Sequence, residues 1–401
     1  MKLLYIANAR IPTEKAHGLQ IIQNCEALAE AGADVTLWAA RRVNTHELRQ
    51  VADPWAHYGV RRNFRLQRLP CLDLQWLVGE RIVPLRRGAF FLQLASWLKT
   101  LVLALLVSGR ADLYYTRDLP AAIVLILLRG GARVAYEPHR VSGRGFGRRL
   151  QAWVLRRARS LFPVTQAMAR ELEQMGAEPA RICVVHDGIR RERFAQPPAR
   201  AEARRRLGWD EALFVVGYLG RLHTMSMDKG VGTLLQALAG LDGAALALVG
   251  GPAHTTRELR SLWRATGRPE ARFLEAGQVP PDQVPLYLAA FDVCAMPFPW
   301  TQHFAYYASP VKLFEYMASG RPLVATRLPA VSEVLRDGEN ALLVPPDDAA
   351  ALAAALRRLQ QDPTLRERLA VAARVKVLAC HTWDVRARRI LQHVRRGGRT
   401  V

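Results

Sequence analysis

The sequence predicts an α/β protein built as two doubly wound, parallel-sheet domains, and three observations carry that prediction. Short apolar runs alternate with helix-length segments from the first residues onward; parallel strands need such crossovers to bring the chain back to the same sheet. The alternation breaks off once, between about Ile189 and Trp209, where "RRERFAQPPARAEARRRLGW" is polar and basic and carries Pro197-Pro198. It then restarts, and 401 residues exceed what one ordinary core organises.

In order, "KLLYIAN" reads as a strand, "GLQIIQNCEALAEAG" as a helix and "DVTLWAA" as a strand, which makes a βαβ unit. Next come strands at "ADLYYTR", "RVAYEPH", "SLFPVT" and "RICVVHDG", with helices at "LPAAIVLILLRGG", from Arg148 to Arg159, and at "QAMARELEQMG". After the break the strands are "LFVVGYLGRL", "AALALVGG", "ARFLEAG", "FDVCAMP", "RPLVAT" and "NALLVPP", again separated by helices. One helix is "SPVKLFEYMASG", stopping at Gly320 in a left-handed cap. Helices over 347–360 and 363–379 and at "TWDVRARRILQHVRR" end the chain. The expected domains are 1–190, a linker 191–209, a second domain 210–378, and a terminal helical segment 379–401 packing back on the first domain. Two such domains should face each other across a cleft at their strand C-termini, where α/β sheets bind ligands.

The formal net charge is +22, spread along the chain, and it favours phosphate-bearing partners or anionic surfaces. Cysteines at 25, 71, 183, 294 and 380 match neither a disulfide framework nor a metal site, which fits a reducing cytoplasm. The N-terminus lacks a signal-peptide pattern and reads as a strand. "AFFLQLASWLKTLVLALLVSG", Ala89 to Gly109, approaches spanning length, but Gln93, Ser96 and Lys99 interrupt it, so a buried or interfacial helix is expected. No aromatic-plus-basic module or helix-turn-helix pattern supports nucleic acid as a partner.

Two stretches could carry chemistry. In "GYLGRLHTMSMDKG", Gly217 and Gly220 let backbone approach a ligand, and Arg221 and Lys229 project beyond a strand end beside a helix N-terminus. These are the parts of a pyrophosphate site, although the Walker spacing is absent and a basic loop without a ligand shows the same residues. Lys312 and Glu315 lie three apart on one helical face. A carboxylate in so apolar a helix is solvated, ion-paired with Lys312, or bound to a ligand such as the two hydroxyls of a ribose.

The succession "GYLGRL…DKG…ALALVGG…FLEAGQVPPDQVPLYLAAFDVCAMPF…SPVKLFEYMASGRPLVATRLPAVSEVLRDGENALLVPPDD" resembles the donor half of the retaining GT-B glycosyltransferases of family four, from residue 213 to about 360. "HGLQIIQNCEALAEAGADVTL", "YEPH" and "VVHDGI" match the acceptor half more loosely. The resemblance implies that Arg221 and Lys229 hold the donor diphosphate and that Glu315 binds the ribose. It implies that Gly220, Ser309 and Lys312 line the donor pocket and that the His17-Gly18 turn borders the phosphates. His139 of "YEPH" corresponds to a histidine beside the transferred sugar, the other reading being a strand-end histidine bonded to backbone. The family commonly has a first glutamate eight residues before Glu315; here it is Tyr307, which removes a charged acceptor for sugar hydroxyls and implies altered donor specificity. The implied chemistry is same-face, retaining transfer from a nucleotide sugar, without a metal or other cofactor.

The arginines at 140, 144, 148, 149, 156, 157 and 159, with Arg86 and Arg87, form either a solvated surface or a patch that docks an anionic bilayer and meets a lipid-linked acceptor. The expectation is a cytoplasmic enzyme, peripheral on the inner face of the membrane, that extends a surface polysaccharide or glycolipid. A non-hydrolysing nucleotide-sugar epimerase and a catalytically inactive anion- or lipid-binding scaffold are the other readings.

Overall fold

The structure, a computed structural model, describes residues 1–76, 83–224 and 227–397. Met225 and Ser226 of the glycine-rich loop, and the last four residues of the terminal segment, lie outside them. The chain forms two compact units: Met1–His186 together with the segment from Trp383 onward, and Asp187–Thr382.

In the first unit, strands β1 (Lys2–Ala7), β2 (Asp34–Arg41), β3 (Arg65–Pro70), β4 (Leu113–Thr116), β5 (Val134–Tyr136) and β6 (Ser160–Leu161) make one parallel sheet of order β3-β2-β1-β4-β5-β6. Helices α1 (Ala16–Glu30), α2 (Val83–Val107), α3 (Leu119–Arg129), α4 (Phe146–Leu155) and α5 (Gln166–Gln174) complete its crossovers. β1 is buried after its first residue and β4 throughout, as strands covered on both faces must be. The sheet centre is aromatic: Tyr115 lies 4.9 Å from Tyr5 and 5.8 Å from Phe162 between ring centroids.

Two details differ from the sequence reading. "RICVVHDG" forms only an isolated bridge from Ile182 to Leu161, with two hydrogen bonds, Cys183 N to Leu161 O and Val185 N to Pro163 O. Its neighbour β6 is two residues long and runs into Pro163, which has no N–H to extend the ladder. β3, unmarked by periodicity, is an edge strand that buries only Leu69 fully, so its arginines stay in water. The long apolar helix α2 is one that length and composition would allow to cross a membrane; only 22% of its most apolar 18-residue window, within Leu85–Val107, is buried. Phe90, Phe91, Leu103, Leu106 and Val107 are exposed along it.

The second unit repeats the plan. Strands β7 (Phe214–Leu219), β8 (Ala244–Val249), β9 (Phe273–Ala276), β10 (Val293–Met296), β11 (Leu323–Thr326) and β12 (Leu342–Val344) pair in parallel in the order β9-β8-β7-β10-β11-β12. Around them lie α6 (Arg200–Leu207), α7 (Val231–Ala239), α8 (Ala253–Ala265), α9 (Val284–Ala290), α10 (Val311–Ala318), α11 (Ala349–Gln361) and α12 (Pro363–Cys380). In both sheets the strand order reverses beside the first strand, the switch point where open α/β sheets leave a crevice. The last helix, α13 (Trp383–Arg396), belongs to the first unit: Trp383, Ala387, Ile390, Leu391 and Val394 join its core. The α/β, two-domain GT-B class expected from the sequence is the class observed.

Candidate functional site

At the switch point of the second sheet, β7 is followed by Gly220 with φ +135° and the neighbouring β8 by Gly250 with φ +133°. A Cβ on Gly250 would lie 2.1 Å from the Gly220 carbonyl oxygen, so only glycines let these strand ends approach. A Cβ on Gly220 would lie 1.6 Å from both Cε and Nζ of Lys312, so the Lys312 ammonium rests over this bare backbone. Lys312 is carried there by α10, which Tyr316 clamps to the end of β7: its hydroxyl accepts from Leu219 N at 2.8 Å and donates to Leu219 O at 3.1 Å.

Lys229 reaches the same place from the other side. Its backbone N–H bonds to Leu222 O and to Asp228 Oδ1, and Gly230, φ +74°, then starts α7. The Lys229 ammonium stands 5.7 Å from the Phe298 ring centroid. Burial, then the charges of Lys312 and Arg221, push its pKa down to about 7. Burial also lowers Lys312, with Glu315 working against the shift and Arg221 reinforcing it. Glu315 is 8% exposed, and no hydrogen bond or ion pair within 4 Å engages its carboxylate among the described residues. Three cations thus lie within electrostatic reach of one another, and one carboxylate offsets them only in part.

Ser309 precedes α10, and its hydroxyl accepts from Asp187 N at 2.9 Å. Tyr307 ends a π-helical turn, His303–Tyr307, and its hydroxyl accepts from Gln302 Nε2 at 3.2 Å. His303 lies near enough to Lys229 for that charge to add to burial in lowering its pKa. Tyr316, Gly230 and Gly250 went unread in the sequence; the tyrosine carries no pattern of its own, while the strand-end "LVGG" marks a close backbone approach.

In the first unit, Gly18 sits in the first turn of α1, where a Cβ would lie 2.2 Å from Thr13 Cγ2 and 2.7 Å from the Tyr58 hydroxyl. Tyr58 in turn accepts from Thr13 N at 2.6 Å, so packing of the β1–α1 loop itself requires this glycine. His17 beside it is held neutral, its pKa lowered to about 4 by burial and by Arg117.

His139 bonds to a carboxylate, not to backbone: its Nε2 is 2.5 Å from Glu137 Oε1. Glu137 is the buried hub of the site. Arg386 Nη2 from α13 lies 2.8 Å from Oε2, Arg117 Nε lies 3.8 Å from Oε1, and the Tyr115 hydroxyl donates to Oε2. Burial opposes the charge, yet Arg386, His139 and Arg117 hold the carboxyl well below the usual range. Burial, followed by Arg117, lowers His139 to about 4. A neutral histidine facing an ionised carboxylate must donate Nε2–H to it, which leaves Nδ1 as an acceptor.

Residues 214–362 match the glycosyl transferases group 1 family, and residues 19–188 match the glycosyl transferase 4-like domain. Each half of the chain thus belongs to a glycosyltransferase domain family. D-inositol 3-phosphate glycosyltransferase of Acidothermus cellulolyticus is 34% identical over 250 residues, 59% of this chain and 54% of that protein. Phosphatidyl-myo-inositol mannosyltransferase of Mycobacterium leprae is 34% identical over 227 residues, covering 55% and 54%. The chain spans about half the length of the curated relatives it matches. In fold, this family member resembles sucrose-phosphate synthase of Thermosynechococcus elongatus, with TM-score 0.76, 22% identity and 98% of each chain covered. It also resembles Anabaena HepE in complex with UDP, with TM-score 0.72, 20% identity, and 99% and 100% covered.

Proposed function

We propose that this chain is a glycosyltransferase that moves a sugar, with retention, from a nucleoside-diphosphate sugar held by the second unit to a glycan or lipid-linked acceptor held by the first. The gathering of Arg221, Lys229 and Lys312 around Gly220, with the unengaged carboxylate of Glu315 on the same helix as Lys312, carries the reading. The cations suit a diphosphate and stabilise the charge that grows on it as the glycosidic bond breaks. The carboxylate suits ribose hydroxyls. HepE, whose fold the chain shares, is seen with UDP and with UDP-glucose. Three fixed cations supply what a divalent ion would otherwise supply, so turnover should persist in EDTA.

Transfer proceeds on one face of the sugar: the bond from the anomeric carbon to the diphosphate oxygen breaks while the bond to the acceptor oxygen forms. The departing phosphate oxygen takes the acceptor's proton. His139, its Nε2–H committed to Glu137, offers Nδ1 to a hydroxyl of the acceptor. Phosphoinositol acceptors in the relatives' names, the exposed apolar face of α2 and the arginines of α4 support an acceptor at a cytoplasmic membrane surface in glycolipid or surface-polysaccharide synthesis.

Isothermal titration with UDP, GDP and ADP tests the donor, and product NMR the stereochemistry. One nucleotide should bind saturably, and joint Arg221→Ala and Lys229→Ala changes should abolish turnover while leaving the melting temperature near that of the parent. Binding of no nucleotide, or turnover that survives both changes, rules the reading out.

A further inference from the structure

The second unit carries a pocket of about 570 Å³ away from the donor crevice, lined by Arg200, Arg321, Arg366, Arg374, Asp292 and Glu367. Asp292 and Pro322 precede β10 and β11, so the pocket opens at the N-terminal edge of the sheet, whereas Gly220 follows a strand. Its volume is that of a small-molecule site.

The charges in its wall do not cancel. Asp292 is already spent: Arg200 Nε lies 2.7 Å from Oδ1, Arg204 Nη2 2.6 Å from Oδ2, and Val215 N donates to Oδ2 at 2.7 Å. Arg366 bonds the carbonyls of Leu359 and Gln360, and Arg374 those of Ala318 and Phe194. Carbonyl partners fix a guanidinium in place without neutralising it. Arg321 has a buried Nε with no hydrogen-bond partner, and no carboxylate pairs with Arg321, Arg366 or Arg374 among the described residues. Burial lowers the pKa of Arg321, the response of a cation short of counter-charge. Glu367 is exposed at the rim.

We propose that this pocket binds a small phosphorylated metabolite, a phosphomonoester of sugar size, as a site separate from the donor crevice. Two guanidiniums held in place by carbonyls, Arg366 and Arg374, and a third without a counter-charge, Arg321, meet the planar, multidentate needs of a phosphate. The remaining volume accommodates the polyol. The pocket also touches the helix that carries the donor residues: Lys312 and Glu315 lie on α10, whose last carbonyl, Ala318 O, is held by Arg374, and Arg321 follows directly. A ligand that engages Arg374 and Arg321 therefore bears on α10.

Calorimetric titration of glucose 6-phosphate into the Arg221→Ala/Lys229→Ala chain, with the donor crevice disarmed, tests the site at constant ionic strength. One-to-one saturable binding is expected in this chain as in the parent, with glucose inert and inorganic phosphate weaker. Arg321→Gln should weaken it by about 10- to 100-fold, the loss of a charge-assisted contact. Val371→Glu, which adds a carboxylate at the exposed rim and removes no structural arginine, should weaken it similarly with an unchanged melting temperature. Glu367→Gln should tighten it. No saturable binding in the disarmed chain, indifference to both Arg321→Gln and Val371→Glu, or phosphate binding as tight as the sugar phosphate overturns the proposal. None of these outcomes depends on whether the chain binds a nucleotide.

Discussion

Glu315 concentrates the residue-scale chemistry, because a buried carboxylate that makes no hydrogen bond or close ion pair among the described residues is left to accept from a ligand. Glu315→Gln keeps the shape and removes the charge. It should weaken UDP or GDP binding by about 10- to 100-fold, the value of a charge-assisted hydrogen bond, and calorimetry checks this. Lys229 gives a pH signature. Its pKa of about 7 lies well below an ordinary lysine's, so above pH 7 the empty site holds it increasingly neutral. A diphosphate favours the charged form, so binding above pH 7 must take up a proton, and affinity should fall as pH rises from 7 to 9. Titrations at pH 8.5 in buffers of different ionisation enthalpy detect that proton; equal heats in all buffers would remove Lys229 from the diphosphate.

At the scale of elements, the donor crevice depends on how α10 meets β7. Tyr316→Phe removes both hydrogen bonds of the clamp and leaves the buried Leu219 N–H without its partner. The cost should be about 1–3 kcal/mol, seen as a lower melting temperature, with weaker nucleotide binding as Lys312 and Glu315 lose their station. Helix α2 makes a second prediction. Phe91→Glu with Leu106→Glu alters two exposed side chains and should release the protein from anionic vesicles without unfolding it; undiminished co-sedimentation would dismiss α2 as a docking face. The alternation of apolar strands and helices was enough to read every strand of the second sheet; most are buried on both faces and so are continuous hydrophobic runs, and the edge strand β9 is marked by its place between two helices. The edge strand β3 was not legible for the converse reason: half of it faces water and shows no run. Arg221, Lys229, Lys312 and Glu315 could be picked out because charge in an apolar setting stands out. Tyr316 could not, since a tyrosine on a buried helix looks like core until its hydroxyl is placed. Glu137 has no pattern of its own in "YEPH", and only the return of Arg386 from more than two hundred residues away shows what it holds.

At the scale of the molecule, the first unit is closed by the far end of the chain. Arg386→Met should leave Glu137 buried without its main counter-charge, at a cost of about 3–5 kcal/mol. For a unit of this size that is roughly 6–20 °C in melting temperature. The loss should shrink as pH falls toward the range where the orphaned carboxyl protonates, because protonation removes the uncompensated charge. A melting profile unchanged by the substitution at neutral pH would show that α13 is held by its apolar face alone.

That helix has a consequence for synthesis. During translation, residues 1–186 emerge with an open seam where Trp383, Ile390 and Leu391 belong, and with Glu137 awaiting Arg386. The second unit, contiguous in sequence, can finish as soon as it leaves the ribosome. The half made first is therefore the half completed last, and a chain stalled anywhere before Trp383 carries an exposed apolar seam that marks it for chaperones or proteases.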